Sequence, residues 1–96
     1  MEELWLSDNQ ISDLSPLSGL TNLKELDLFS NHIRNLNPLS GLTNLKELIL
    51  FVNDISDIRP LYTLRALTFL DLRVNEVETG NIFVLMGFLP NCEILY

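Results

Sequence analysis

Leu14-Ser15-Pro16-Leu17-Ser18-Gly19-Leu20-Thr21-Asn22-Leu23-Lys24-Glu25-Leu26-Asp27-Leu28 returns as residues 36–50 with two changes in fifteen positions, Ser15 to Asn37 and Asp27 to Ile49. A stretch that copies itself after 22 residues is a structural unit, and one so short cannot enclose a core alone, so each copy must stack on its neighbours. Phased on this period, the chain divides into units 1–22, 23–44 and 45–66, a longer unit 67–91, and a closing strand 92–96, together read as one repeat domain over residues 1–96.

Each unit contains a short alternating run: Leu4-Trp5-Leu6, Leu26-Asp27-Leu28, Leu48-Ile49-Leu50 and Leu70-Asp71-Leu72. Alternation with a period of two is the signature of a half-buried strand, and strands that recur at a fixed phase of a stacked unit pair in parallel. Asparagine follows each run at one phase, as Asn9, Asn31, Asn53 and Asn75, and then Ile11, Ile33, Ile55 and Val77 turn back inward. An amide both donates and accepts, so a column of asparagines can satisfy the peptide groups that the chain buries as it leaves each strand. On the return, Pro16, Pro38 and Pro60 stand in register among leucines three apart, which predicts a tight 3₁₀ turn rather than a long helix.

The pattern Leu-x-x-Leu-x-Leu-x-x-Asn-x-Ile-x-x-Leu-x-Pro-Leu-x-x-Leu-x-Asn resembles the leucine-rich repeat family, and its 22-residue period with proline is similar to the internalin-like bacterial subtype. The resemblance covers nearly the whole chain. It implies an α/β solenoid with short parallel strands on a concave face and 3₁₀ turns on the convex face, and it implies that the concave sheet binds other proteins. That family usually covers the end before its first strand. No such cap precedes Leu4, so residues 1–96 read as a piece of a longer array. The near identity of residues 14–28 and 36–50 points to recent duplication or to consensus design.

The fourth unit departs from the others. Thr79-Gly80-Asn81-Ile82-Phe83-Val84-Leu85-Met86-Gly87-Phe88-Leu89-Pro90-Asn91 adds three residues and loses the proline at its usual place, which predicts a short helix capped by Thr79 or Asn81. The apolar residues of segment 82–89 cover almost every side of such a helix, more than one core-facing stripe can bury. They either lid the last hydrophobic layer or meet another molecule.

Composition narrows the function. Among 96 residues there are 22 leucines and 13 acids against 6 bases, for a formal net charge of -7. Phosphate recognition draws its affinity from clustered Lys and Arg, so nucleic acid and anionic membranes are disfavoured, and a neutral or basic protein surface suits the charge better. The acidic start Met1-Glu2-Glu3 is not that of a signal peptide, and no apolar run is long enough to span a bilayer. The single cysteine, Cys92, makes no internal disulfide, leaving localisation open; the resemblance allows a bacterial secreted or cell-surface origin. Cys92 falls at the core-facing phase of Leu67 and reads as a small apolar residue.

Function should sit on the non-leucine positions of the strands. One outward column is read as Trp5, Asp27, Ile49, Asp71 and Tyr96; the next is Ser7, Phe29, Phe51 and Arg73; Val52, Val74 and Phe69 extend the surface. Neighbouring strands lie about 4.8 Å apart, so these residues form a contiguous aromatic and aliphatic strip of the kind that anchors protein interfaces. Beside it Glu3, Glu25 and Glu47 stack into an acidic rim, next to Lys24 and Lys46. The predicted site is therefore a partner-binding face with no catalytic residues, cofactor or metal. His32 has no nucleophile at a motif spacing, and Asp8, Asp13, Asp54 and Asp57 lack the dense spacing of a calcium loop. Two alternatives remain: a structural fragment that self-assembles into a homo-oligomer through its ends and the apolar segment 82–89, or a regulatory module of a larger protein.

Overall fold

The computed structural model describes residues 1–96. Five strands, β1 (Glu3–Trp5), β2 (Glu25–Asp27), β3 (Glu47–Ile49), β4 (Phe69–Asp71) and β5 (Glu93–Leu95), form one parallel sheet in sequence order. The pairing joins identical phases of successive units, Leu4 to Leu26 to Leu48 to Leu70 to Ile94. Backbone ladder bonds run on past the strands, with Leu28 N–H donating to Ile49 O at 2.9 Å and Leu50 N–H to Asp71 O at 2.8 Å. A sheet made this way has no room for a register slip, because sliding one strand by a residue would turn its leucines into solvent.

Inward leucines and isoleucines build a core of 22 buried residues in the layer between the strands and the return segments. Return is made by 3₁₀ turns at Ser15–Leu17, Asn37–Leu39 and Arg59–Thr63, each with proline in its first turn. Each turn is introduced by a polar residue two positions earlier: Asp13 Oδ1 accepts the Ser15 N–H, Asn35 Oδ1 the Asn37 N–H, and Asp57 Oδ1 the Arg59 N–H, at 2.9, 2.9 and 3.1 Å. Asp13 and Asp57 are thus turn formers. Arg59 also holds both oxygens of Asp57, at 2.9 and 2.8 Å, and these hydrogen bonds bring the Asp57 pKa down to about 2.

The asparagine column does what the sequence predicts. Asn53 is buried; its amide donates to Leu28 O at 3.0 Å and Leu50 O at 3.2 Å, and its oxygen accepts the Ile33 N–H at 3.0 Å. Asn31 and Asn75 repeat the pattern one unit before and one unit after. Asn9 is exposed and donates only to Leu6 O and Ser7 O of its own turn.

Just before each asparagine the chain takes the left-handed conformation, at Asp8, Ser30, Val52 and Val74, with φ between 54° and 61°. This residue turns the backbone so that consecutive N–H groups point along the stack: Ser30 to Phe51 O, Asn31 to Val52 O. Aspartate tolerates that geometry; β-branched valine does not, and Val52 and Val74 carry strain of about 1–2 kcal/mol each.

In the last unit a helix, α1 (Thr79–Phe88), replaces the 3₁₀ turn. Its N-cap is Glu78 in an extended conformation, with no side-chain cap bond, so neither Thr79 nor Asn81 caps it; Thr79 is already the first helical residue. Ile82 and Leu85 bury against the end of the core, and Phe88 stacks on Tyr62 of the third 3₁₀ turn at 4.3 Å between ring centres. Phe83, Val84 and Phe88 remain exposed, as a helix apolar on all sides requires.

Candidate functional site

The sheet register fixes the outward columns. Trp5, Asp27, Ile49 and Asp71 stand side by side, and the residue that completes this column is Leu95, not Tyr96. Cys92 keeps the turn position of Leu67, its N–H donating to Leu89 O as that of Leu67 does to Leu64 O, but the strand then begins at once, and Glu93 pairs with Phe69. One residue is missing from the turn. Tyr96 consequently takes the phase of Leu72 and leaves the sheet face; its ring meets Phe83 of α1 edge-on, 6.4 Å between centres. Cys92 itself is half-buried, and burial first, then the Glu93 charge, pushes its thiol up to about 11, so it is a packing residue rather than a nucleophile.

The second column holds the aromatic pair. Phe29 and Phe51 meet in a T-shaped contact with ring centres 5.2 Å apart, and the Arg73 guanidinium lies over the Phe51 ring at 4.7 Å. Arg73 is fixed there by Asp71, whose two oxygens accept from its Nε and Nη2 at 3.0 and 2.8 Å. Asp71 is therefore spent inside the fold: it is 4% exposed and is no part of an open rim. The pair instead acts as a clamp that flattens Arg73 onto Phe51 and stiffens that end of the strip. Asp27, at the same phase two strands earlier, uses one oxygen to accept the Phe29 N–H at 3.0 Å and has no cation in an ion pair with it.

Phe69 lies in the glutamate column, between Glu47 and Glu93, rather than in the central strip. The column thus reads Glu3, Glu25, Glu47, Phe69, Glu93, and Glu93 is a rim acid that the unit count conceals. Val52 sits beside the strip in its left-handed turn, half-buried, and Val74 is exposed at the same phase. Lys24 is drawn aside to Glu2, 2.9 Å away. Glu25 is left among like charges, and partial burial first, then Glu3 and Glu47, raise its pKa above the usual carboxylate value.

That shift has a testable sign. A carboxyl whose pKa is raised by folding gives stability that is complete below its unfolded value of about 4.3 and is lost as pH rises through the folded value. Glu25→Gln should accordingly raise the melting temperature at pH 7 and leave it nearly unchanged at pH 3, read by circular dichroism melts at the two pH values. Equal shifts at both would remove charge as the cause.

A hollow of about 150 Å³ opens on this face, lined by Trp5, Glu25, Leu26, Asp27, Glu47 and Ile49. A wider polar groove of about 450 Å³ lies away from the sheet, between the third 3₁₀ turn and α1, lined by residues including Asp57, Arg59, Tyr62 and Glu78.

Comparison with known proteins agrees with this architecture. A family profile described as "Leucine Rich repeats (2 copies)" matches residues 1–41. Among solved structures, an internalin C2 from Listeria monocytogenes is 34% identical with a TM-score of 0.83, over 98% of this chain and 41% of that one. An LRR protein of Leptospira interrogans is 28% identical with a TM-score of 0.89, over 100% of this chain and 25% of its own. A chain of the Drosophila melanogaster SNF/U2A' complex is 26% identical with a TM-score of 0.77, over 98% of this chain and 58% of that one. The chain therefore spans less than two thirds of each of these relatives. No curated protein sequence matches it significantly. The leucine-rich repeat fold commonly mediates protein–protein interaction, and with its five-stranded parallel sheet, asparagine ladder and 3₁₀ returns the chain has that fold and is similar to leucine-rich repeat proteins, internalin-like relatives among them.

Proposed function

We propose that the chain is a non-enzymatic protein-binding module that takes its partner on the concave sheet face. The observation that carries this reading is the Phe29–Phe51 pair with Arg73 laid over it, flanked by Ile49 and Trp5 on a face that no element of the chain covers. Aromatic rings and a stacked, pre-oriented arginine are the residue types that dominate binding energy at interfaces, and fixing them before contact lowers the entropy lost on binding. One relative is part of the Drosophila melanogaster SNF/U2A' complex, which supports the class of function but names no partner for this chain.

The test is affinity capture from extracts with the wild type and with a Phe29→Ser, Phe51→Glu double variant, whose core leucines are untouched. Loss of two anchors should weaken retention by at least about 30-fold. Proteins retained equally by both would sink the reading. A second reading is favoured by one observation: Phe83 and Val84 of α1 are 58% and 50% exposed, and Phe88 43%, a patch through which copies could join into a homo-oligomer. Light scattering that gives a monomer at every concentration removes it; an oligomer abolished by Phe83→Glu supports it.

A further inference from the structure

The hollow beside Trp5 specifies the kind of partner surface the sheet face fits. Its lining is of two sorts: Trp5, 67% exposed, and Ile49 supply apolar surface with Asp27 between them in the same column, and Glu25 and Glu47 add carboxylates from the neighbouring column. The chain supplies no cation to them. Its ion pairs are made elsewhere, Lys24 with Glu2, His32 with Asp54, Arg59 with Asp57 and Arg73 with Asp71. Nor are the three carboxylates gathered tightly enough to close on a metal ion. The space, about 150 Å³, equals roughly five water volumes, enough for the head of one long side chain and the last carbons of its stem. An aromatic face with carboxylates around it attracts a cation and accepts the aliphatic stem behind it, a combination that neither an apolar nor an acidic group satisfies.

The hollow is also continuous with the aromatic strip. Ile49 belongs to the first outward column and Phe51 to the second, two residues on along the chain, or about 7 Å. We infer that the partner is a protein surface presenting an arginine or lysine side chain into the Trp5–Glu25–Asp27–Glu47 hollow, with an apolar side chain about 7 Å away seated on Phe29 and Phe51. This rests on the concave face being the binding face. The raised pKa of Glu25 fits the same geometry, since an incoming cation relieves the repulsion from Glu3 and Glu47 that the free protein carries.

The experiment uses the 96-residue chain, isotopically labelled, and a nuclear magnetic resonance titration with Nα-acetyl-arginine amide. Nα-acetyl-citrulline amide, the neutral isostere, is the control. The Trp5 indole N–H and the Glu25, Asp27 and Glu47 amides should shift saturably with the arginine compound and far less with citrulline. The affinity should drop severalfold on raising salt from 0.05 to 0.5 M, which are conditions chosen to span strong and weak screening. A Glu25→Gln, Asp27→Asn variant keeps the oxygen that accepts the Phe29 N–H and should weaken binding by about tenfold while its other signals stay in place. Trp5→Leu should weaken it by about threefold. Shifts of equal size with citrulline, or an unchanged affinity in the double carboxylate variant, would overturn the inference. If the arginine compound fails while capture still depends on Phe29 and Phe51, the sheet face binds protein and the cation hollow is wrong. If the compound binds and capture ignores Phe29 and Phe51, the hollow stands and the aromatic strip is wrong.

Discussion

Asn53→Leu is expected to lower the folding stability of the chain by about 3–5 kcal/mol, and Asn9→Leu by less than about 1 kcal/mol. The two residues share one phase of the repeat and differ in what they hold. Removing the Asn53 amide leaves the Ile33 N–H without its acceptor inside the stack, where water does not replace it, and takes one of two asparagine donors each from Leu28 O and Leu50 O, which keep Asn31 and Asn75. The unpaired buried N–H costs about 1–3 kcal/mol and each lost carbonyl bond about 0.5–1.5 kcal/mol more, and leucine's added apolar surface returns only part of that. Asn9 bonds the two carbonyls of its own exposed turn, which water can serve instead. Urea melts of both variants decide the matter. At about 4–8 °C per kcal/mol for a domain of this size, the Asn53 variant should also melt at least about 12 °C lower. Similar losses at the two positions would show that the ladder between units contributes nothing beyond the local turn.

The second large effect concerns the leucines. Leu48→Ala should cost about 3–5 kcal/mol, and Leu4→Ala about 1–2 kcal/mol. Leu48 is fully buried between Leu26 and Leu70 in the sheet register, so truncation opens a cavity with packed units on both sides. Leu4 has a paired neighbour only in Leu26 and is already half-exposed, so the surroundings can close over the missing atoms. The same urea melts provide the comparison. In a stack where each unit touches only its neighbours, position along the stack, not residue type, sets the cost; equal losses would instead describe a single core shared by all units.

Most of the fold was legible because the repeat states it several times. The leucine phase, the asparagine phase and the prolines each recur, and a recurring phase constrains backbone geometry more tightly than any single propensity. The aromatic pair was legible for the same reason, since Phe29 and Phe51 occupy one phase of adjacent units. What escaped lies where the repeat stops. Tyr96 was displaced by a turn one residue shorter than its counterparts, and a deletion inside a longer unit leaves no mark in composition or spacing. That same shift hid Leu95 and Glu93. Asp71 reads in sequence as Asp27 does, and its burial depends on Arg73 two residues later; a bidentate pair at that spacing is a geometric fact of the turn, which the alternation alone does not encode. Capping of α1 by Glu78 was missed because the extended backbone there needs no side-chain bond.

The order of the sheet has a mechanical consequence. Met1 precedes the strand at one edge and Tyr96 follows the strand at the other, so tension applied between the termini runs along the ladder hydrogen bonds and loads them one pair at a time. Units would peel from an end in sequence instead of resisting together. Each 22-residue unit released lengthens the chain by about 70 Å, against a folded molecule whose longest dimension is 30 Å. Pulled from its ends, the protein behaves as a stepwise tether, each step more than twice the length of the body it leaves.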